Sequence, residues 1–393
     1  MRQKRKKMTI YEYEPLSVIG CGAFGEVRVC RNKITKEIVA IKKMKKDEMI
    51  KQNQLMHIRT EKEILTVKNP WIINLKASFQ DAYYLYLVMD FCGGGDFMNL
   101  LIKREIINEN DSRFYITEMI LAVDAVHKLN CIHRDLKPDN ILIDNKGHLK
   151  LSDFGLCKIS DSKMYPLTSS LEPTLDPTTF EIIPSNKKIE LNKLKRKNRI
   201  TALSLVRTID YIAPEVYEGN GYGMEIDWWS LGVILYEMMI GYPAFFSQTQ
   251  NETKNKIMNW KKTFSFPSEV TISKDAMSLI RGFITIPSKR LGYNGIDEIK
   301  RHPFFHGFNW DKIQDMTPPF VPVLSTPYDN RYFDHYNEKE PFYPTTLTKE
   351  KDYTDINYEG YTFNRDNETE SFSSALEMIE VIKRGIEEQK KHS

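Results

Sequence analysis

The stretch His133-Arg134-Asp135-Leu136-Lys137-Pro138-Asp139-Asn140 concentrates charged and amide side chains that a purely structural loop has little use for. Asp135 is suited to accept the proton of an attacking hydroxyl. Asn140, five residues on, offers an oxygen to a magnesium ion, and Lys137 supplies positive charge beside a transferring phosphoryl group. Such a loop needs two further parts: a second metal carboxylate, and a segment that holds phosphates.

Both are present in the chain order that phosphoryl transfer to a protein hydroxyl requires. Downstream, Asp153-Phe154-Gly155 follows the strand-like His148–Leu151 and supplies the second carboxylate, so Asn140 and Asp153 are the candidate metal ligands. Upstream, Gly20-Cys21-Gly22-Ala23-Phe24-Gly25-Glu26-Val27 has the spacing GxGxxGxV. Taken alone this pattern is weak, because dinucleotide-binding folds open a helix with the same spacing. Here the strand-like Val27–Val29 follows, so the loop joins two strands and its backbone amides can cover phosphates, with Ile19 to Val27 as the nucleotide-covering segment. A dinucleotide-dependent oxidoreductase is excluded on the same ground. Val39-Ala40-Ile41-Lys42 ends a strand on a lysine. A solvated edge charge is the plain reading, and a grip on the α and β phosphates is the functional one. That grip requires a carboxylate on the following helix, and Glu61 in His57–Leu65 is preferred over Glu63.

The whole composition fits an intracellular enzyme with ordinary cores. The chain has 393 residues, 41% hydrophobic and 28% charged, enough for two or three domain-sized units without disulfide staples. Lys plus Arg against Asp plus Glu is 56 − 53 = +3, so no global charge field points to nucleic acid or membrane as the main partner. The five cysteines, Cys21, Cys30, Cys92, Cys131 and Cys157, form no CxxC pair and no zinc-like cluster, which favours a reducing compartment, cytoplasm or nucleus. Met1–Lys7 is basic with no apolar stretch behind it, and no apolar run approaches membrane-spanning length, so neither secretion nor a membrane span is expected.

Periodicity divides the chain. From Leu16 to Phe91 apolar residues alternate (Leu16–Ile19, Glu26–Val29, Ile38–Ile41, Tyr84–Val88), with one helical stretch near 51–67, which predicts a small antiparallel sheet carrying one helix. From Asp96 to His306 the pattern is helical, including 111–129 and the almost wholly apolar Trp228–Ile240, which predicts a larger α-helical domain. Gly93-Gly94-Gly95 sits between them and reads as a flexible hinge. Residues 158–203 lack periodicity and end in a basic run (Lys187, Lys188, Lys193, Lys195, Arg196, Lys197, Arg199), read as a disordered insert. Residues 307–365 read as a tail laid over a surface, and Ser374-Ala-Leu-Glu377 resembles a capping box opening a terminal helix.

Residues 16 to about 306 resemble a eukaryotic protein kinase, with Ala213-Pro214-Glu215 closing the activation segment and Arg290 placed to pair with Glu215. Asp153-Phe-Gly-Leu-Cys157, Asp227-Trp-Trp-Ser-Leu-Gly232 and Lys289-Arg-Leu-Gly292 are similar to the AGC group. Ser78-Phe-Gln-Asp81, Gly241-Tyr-Pro243, Met258-Asn-Trp-Lys261 and the long insert are similar to its NDR/LATS branch. The resemblance implies an α+β, bilobal kinase fold: a basic segment over 1–13, an N-lobe over 14–92, a C-lobe over 93–306 containing the 158–203 insert, and an AGC tail over 307–393. It implies ATP and Mg2+ as cofactors and a non-specific serine/threonine kinase activity, with Lys137 in the pattern that goes with Ser/Thr substrates. A scaffold that binds nucleotide without turnover is the competing reading. Its mark is loss of Lys42, Asp135 or Asp153, and all three are present.

The resemblance also implies regulation. Ser204 matches the activation-loop phosphosite, where a phosphate would pair with Arg134. Thr362, in Tyr358-Glu-Gly-Tyr-Thr-Phe363, matches the hydrophobic-motif site, modified by an upstream kinase, and its aromatics would dock on the small lobe and press the Glu61 helix toward Lys42. Phe333–Tyr336 resembles the tail segment that reaches the nucleotide. Asp96, Asp139 and Glu237 match positions that hold substrate arginines, so basic residues near the target Ser or Thr are expected.

Two departures stand out. Arg207, Thr208 and Ile209 stand where the family usually has Gly-Thr-Pro; Thr208, which would orient Asp135 and Lys137, is kept, while the changed neighbours alter backbone freedom where the substrate residue after the target docks. About 15 residues precede the kinase region, so of the basic segment that binds a Mob co-activator only Arg2–Lys7 is expected. The basic run 187–199 has two readings: the resemblance implies an autoinhibitory insert, which is preferred, while charge alone gives a solvated loop or a nuclear localisation patch. Deleting 187–199 is expected to raise basal peptide phosphorylation, and unchanged basal activity would remove that role.

Overall fold

The computed structural model describes residues 8–22, 25–52, 54–159, 207–219, 221–268, 270–338, 341–344, 358 and 360–365. The expected insert beyond Ile159, Ser204, Ala23, Phe24, Arg2–Lys7, the terminal helix and the side chain of Thr208 lie outside the described residues.

The small lobe is built on a six-stranded antiparallel sheet: β1 (Tyr13–Cys21), β2 (Gly25–Asn32), β3 (Ile38–Lys45), β4 (Leu75–Gln80), β5 (Tyr84–Asp90) and β10 (Phe363–Asn364), in the order β1-β2-β3-β5-β4-β10. Alternation decides which residues face the cleft. On β3, Ala40, Lys42 and Met44 face inward, while Val39, Ile41 and Lys43 face the other way. Met44 joins the main core, and Val39 and Ile41 join a second cluster with Tyr13, Phe79, Tyr86 and Phe342. Both faces are therefore covered, the inner by a helix and the outer by the tail. β4 escaped the periodicity reading; its register shifts between Leu75 and Ala77, so Leu75 joins the main core while Ala77 and Phe79 join the outer cluster.

Instead of one helix over about 51–67 there are two, α1 (Lys46–Lys51) and α2 (Leu55–Thr66). The break falls at Gln52, whose ψ of 11° leaves the helical region. The large lobe contains α3 (Phe97–Arg104), α4 (Glu109–His127), α5 (Pro214–Glu218), α6 (Glu225–Ile240), α7 (Gln250–Met258), α8 (Trp260–Thr263), α9 (Lys274–Phe283) and α10 (Ile296–Lys300). Residues 226–240 of α6 are all buried, as a helix apolar on every side demands. It ends at Gly241 in the left-handed conformation (φ 96°). Trp228 of α6 stacks on Phe283 of α9 at 6.5 Å. Short strands β6 (Cys131–Ile132), β7 (Ile141–Ile143), β8 (Leu149–Leu151) and β9 (Lys158–Ile159) frame the catalytic loop. β9 pairs with β6, so the expected insert begins two residues later than its sequence suggested, because Lys158 and Ile159 find backbone partners in Ile132 and Cys131.

The glycines between the lobes serve close approach more than freedom. Gly93 N–H donates to Asn145 Oδ1 at 2.8 Å, and Gly94 N–H to Ile143 O at 3.0 Å. Gly95 has φ 76°, and a Cβ there would lie 2.2 Å from the Tyr332 carbonyl of the tail. The expected flexible hinge is thus pinned by the tail, which continues with Phe333 stacked on Phe91 at 5.8 Å.

Candidate active site

Lys42 and Glu61 meet across the inner face of the sheet. Lys42 Nζ lies 2.7 Å from Glu61 Oε1 and 3.4 Å from Asp153 Oδ1, so one ammonium joins β3, α2 and the Asp153-Phe154-Gly155 turn. Burial alone would lower the pKa of Lys42, but the charges of Glu61 and Asp153 outweigh it and raise it. Burial raises Glu61 against the pull of Lys42. Asp153 is lowered, chiefly by Lys42. Phe154 is fully buried and packs edge-on against His133 at 5.3 Å, which seats the turn inward. Glu63 instead pairs with Lys62 at 3.0 Å, which settles the choice between the two glutamates.

The catalytic loop is organised around Asp135. Lys137 Nζ donates to its two carboxylate oxygens at 3.1 and 2.9 Å, and Asn140 Nδ2 donates to its Oδ2 at 2.9 Å and its carbonyl at 2.8 Å. Asn140 is held from behind by Ser152, whose Oγ and N–H both donate to its carbonyl at 2.9 Å. With its nitrogen so engaged, Asn140 Oδ1 has no protein donor among the described residues.

Two non-glycine residues here have left-handed backbones, Arg134 (φ 68°) and Asp153 (φ 56°), a conformation that costs on the order of 1–3 kcal/mol each. Asp227, in the first turn of α6, opposes the first of these costs. Its Oδ1 accepts from Arg134 N–H at 3.0 Å, and its Oδ2 from His133 N–H at 2.9 Å and bonds His127 Nε2 at 2.8 Å. Burial raises its pKa, and these partners more than reverse that. Asp227 enters the sequence reading only through the AGC-like stretch Asp227–Gly232.

The glycine segment runs from the end of β1 into β2. Gly22 N–H donates to Gly25 O at 2.8 Å, and a Cβ at Gly25 would fall 1.8 Å from the Lys43 carbonyl, so only glycine lets β3 pass. Ile19, Gly20 and Cys21 lie in β1, and Val27 pairs with Gly20 and Lys42. Glu26, expected with the nucleotide-covering residues through the backbone of the segment, turns its side chain away from the cleft. Its side chain bonds Arg28 at 2.8 Å, and Arg28 in turn holds Glu338 at 2.8 Å and lies over Phe342 on the outer face. Period-2 alternation turns Glu26 away from the cleft whenever Val27 faces it.

The three candidate substrate acids differ. Asp139 is exposed. Asp96 caps α3, accepting from Asn99 N–H at 2.8 Å. Burial pushes its pKa up to about 7, with the Asn99 amide opposing and Asp139 and Asp334 adding to the rise. Glu237 is buried in α6 and accepts from the Tyr211 hydroxyl at 2.6 Å. Arg134 donates to Leu156 O at 2.5 Å and to the Tyr222 hydroxyl at 3.4 Å. Glu215 and Arg290 form a two-point ion pair at 2.5 and 3.1 Å, with Arg290 also donating to the carbonyls of Glu225 and Thr285.

Residues 13–305 match the family model described as protein kinase domain. The chain belongs to the protein kinase family. The kinase is 42% identical to the probable serine/threonine-protein kinase ndrB of Dictyostelium discoideum, over 95% of this chain and 73% of that one. It is also 42% identical to the serine/threonine-protein kinase CBK1 of Pneumocystis carinii (93% and 76%) and to that of Saccharomyces cerevisiae (85% and 48%), so it spans about half the length of the last. These relatives mark it as a serine/threonine kinase of the NDR/LATS branch of the AGC group.

Replacing Asp227 by Asn removes one acceptor from a buried site where two backbone amides and His127 converge. Leaving a buried donor unmet costs about 1–3 kcal/mol. Asp227→Asn is expected to lower the thermal midpoint and kcat together; an unchanged midpoint in a melting curve would show that the loop is held by something else.

Proposed function

We propose that the kinase transfers the γ-phosphoryl of ATP, with Mg2+, to Ser or Thr in basic-context protein substrates, and that phosphorylation of Ser204 and Thr362 regulates it. The observation that carries this reading is the joining of Lys42, Glu61 and Asp153 in one ion-pair chain, beside a loop in which Asp135 is oriented by Lys137 and Asn140. Lys42, steadied by Glu61, aligns the α and β phosphates. Asp135 orients the substrate hydroxyl and takes its proton, Lys137 steadies charge on the phosphoryl group, and Thr208 supports both. Asp153 and Asn140 Oδ1 fit a magnesium ion. Both present hard oxygens, and this metal takes one or two protein ligands beside phosphate and water. Bound there, the ion would neutralise developing charge on the phosphates.

The tail supports the regulatory part. Tyr358, Tyr361 and Phe363 are buried against α2 and β4 while Thr362, between them, is exposed to an upstream kinase. Arg134 is the natural partner for a phosphate on Ser204, and Arg2–Lys7 for a Mob co-activator. Asp96, Asp139 and Glu237 serve the basic residues of the substrate. We place the kinase in the cytoplasm and nucleus on its cysteine usage and basic run.

Asp135→Asn keeps the shape of the loop but removes the charge that receives the proton. Transfer to an Arg-containing serine peptide is expected to fall by ~10²–10⁴-fold with ATP still bound, and retention of activity within a few-fold would move the reading to another base. Asp96, with its pKa near 7, is neutral below that pH and charged above it. The KM for an arginine-bearing peptide is therefore expected to rise as pH falls from about 8 to about 6. Asp96→Asn, which keeps the helix cap, should flatten that dependence; an unaltered pH profile would take Asp96 out of substrate recognition.

A further inference from the structure

The helix that carries Glu61 is poorly terminated by its own sequence. Gln54 provides no side-chain cap at the start of α2, and the last turn contains no basic residue. An α-helix leaves its final carbonyls without intrahelical donors and gathers partial negative charge there. In α2 the Thr66 hydroxyl takes Glu63 O at 2.6 Å, and Val67 N–H takes Ile64 O at 3.2 Å. The carbonyls of Leu65 and Thr66 follow these two. They are met by Arg365, 299 residues beyond Thr66, whose Nη2 donates to Thr66 O at 2.9 Å and to Leu65 O at 3.3 Å. Its Nε donates to Leu75 O at 2.6 Å, the first residue of β4. The guanidinium also lies 5.5 Å from the Phe363 ring. A planar fork can join carbonyls of a helix and a strand in one fixed geometry, which a lysine ammonium cannot reproduce.

Apart from the Tyr358 hydroxyl, which donates to Lys46 O at 3.4 Å, the neighbouring side-chain hydrogen bonds of this tail segment run in the opposite sense. Lys62 Nζ donates to Gly360 O, Ser78 Oγ to Tyr361 O and Gln80 Nε2 to Tyr358 O, so side chains of the lobe hold the backbone of the tail. Arg365 holds the backbone of the lobe. Glu61 lies about one turn before Leu65 on the same face of α2, so a shift of the last turn is passed to the carboxylate that meets Lys42.

We propose that Arg365 is a positioning residue for phosphoryl transfer: it caps α2 from the tail, ties it to β4, and so keeps Glu61 on Lys42. This rests on the reading of Lys42 and Glu61 as the phosphate-aligning pair. The test compares kcat and KM for ATP and peptide in the full chain for wild type, Arg365→Ala, Arg365→Lys, Glu61→Gln and the double variant Glu61→Gln/Arg365→Ala. Arg365→Ala is expected to lower kcat about tenfold with peptide KM unchanged, and Arg365→Lys to recover part of the loss. In the Glu61→Gln background Arg365→Ala should cost less than about twofold further. A kcat within about twofold of wild type in Arg365→Ala, or the same tenfold loss repeated in the Glu61→Gln background, overturns the proposal. Should Arg365→Ala not fold, Arg365→Met, which keeps the length of the side chain without a donor, is judged by the same two criteria. An unimpaired Glu61→Gln would sink the pair itself, whereas an impaired Glu61→Gln beside an unimpaired Arg365→Ala sinks only the role of Arg365.

Discussion

The carboxylate of Asp227 is the fixed point from which the catalytic loop is built. It stands in the first turn of a helix with no exposed face, where negative charge is favoured by the helix dipole. From there it accepts the amides of His133 and Arg134 and meets His127 at the end of α4. A loop carrying a left-handed arginine cannot be held by local propensity. It is held because two successive N–H groups must both reach one buried acceptor. The side chains of His133 and Arg134 then go in different directions, one behind Phe154 and the other to the Leu156 carbonyl. The active geometry around Asp135 is thus inherited from a rigid element in the core.

Strand β3 does for the small lobe what α6 does for the large one. Its two adjacent lysines face opposite sides of the sheet. Lys42 reaches Glu61 and Asp153 in the cleft, while Lys43 donates to the carbonyls of Pro341 and Phe342 in the tail at 2.8 and 3.1 Å. The same division holds on β2, where Val27 faces inward and Arg28 outward to Glu338. The tail is therefore fastened to the strands that carry Lys42 and the glycine segment, and anything that loosens it acts on the cleft through the sheet.

These two halves differ in how far the residues alone disclosed them. The catalytic stretch 133–140, Asp153 and Lys42 were legible because phosphoryl transfer needs particular groups at short, fixed spacings, and few other loops collect them. The preference for Glu61 over Glu63 follows from the family pattern, and the structure explains it by the partner each one finds. Strands β1, β2, β3 and β5 were legible through alternation, whereas in β4 a register shift between Leu75 and Ala77 sends Leu75 to the main core and Ala77 and Phe79 to the outer cluster. The outward turn of the Glu26 side chain follows from strand period, not from motif spacing, which says nothing of faces. The contacts of Arg28, Lys43 and Arg365 left no local trace, since each joins residues roughly three hundred positions apart. Gly95 was legible as a glycine but not for its reason, the Tyr332 carbonyl of the tail 2.2 Å from where a Cβ would lie.

The composition of α2 explains why so much of the tail is devoted to it. Glu61, Lys62 and Glu63 are consecutive and all buried, and Glu63 Oε2 finds no hydrogen-bond partner among the described residues. A helix stabilises itself by hiding an apolar stripe and leaving charge in water. α2 does the reverse at its centre, so its stability depends on groups brought from elsewhere: Lys42 from β3, the Gly360 carbonyl and the aromatic cluster of Tyr358, Tyr361 and Phe363 from the tail. An element held mainly by external partners lies at the low-stability end of a fold and moves when they leave. Glu61, the carboxylate of that helix that meets Lys42, thereby depends for its position on residues far from it in sequence.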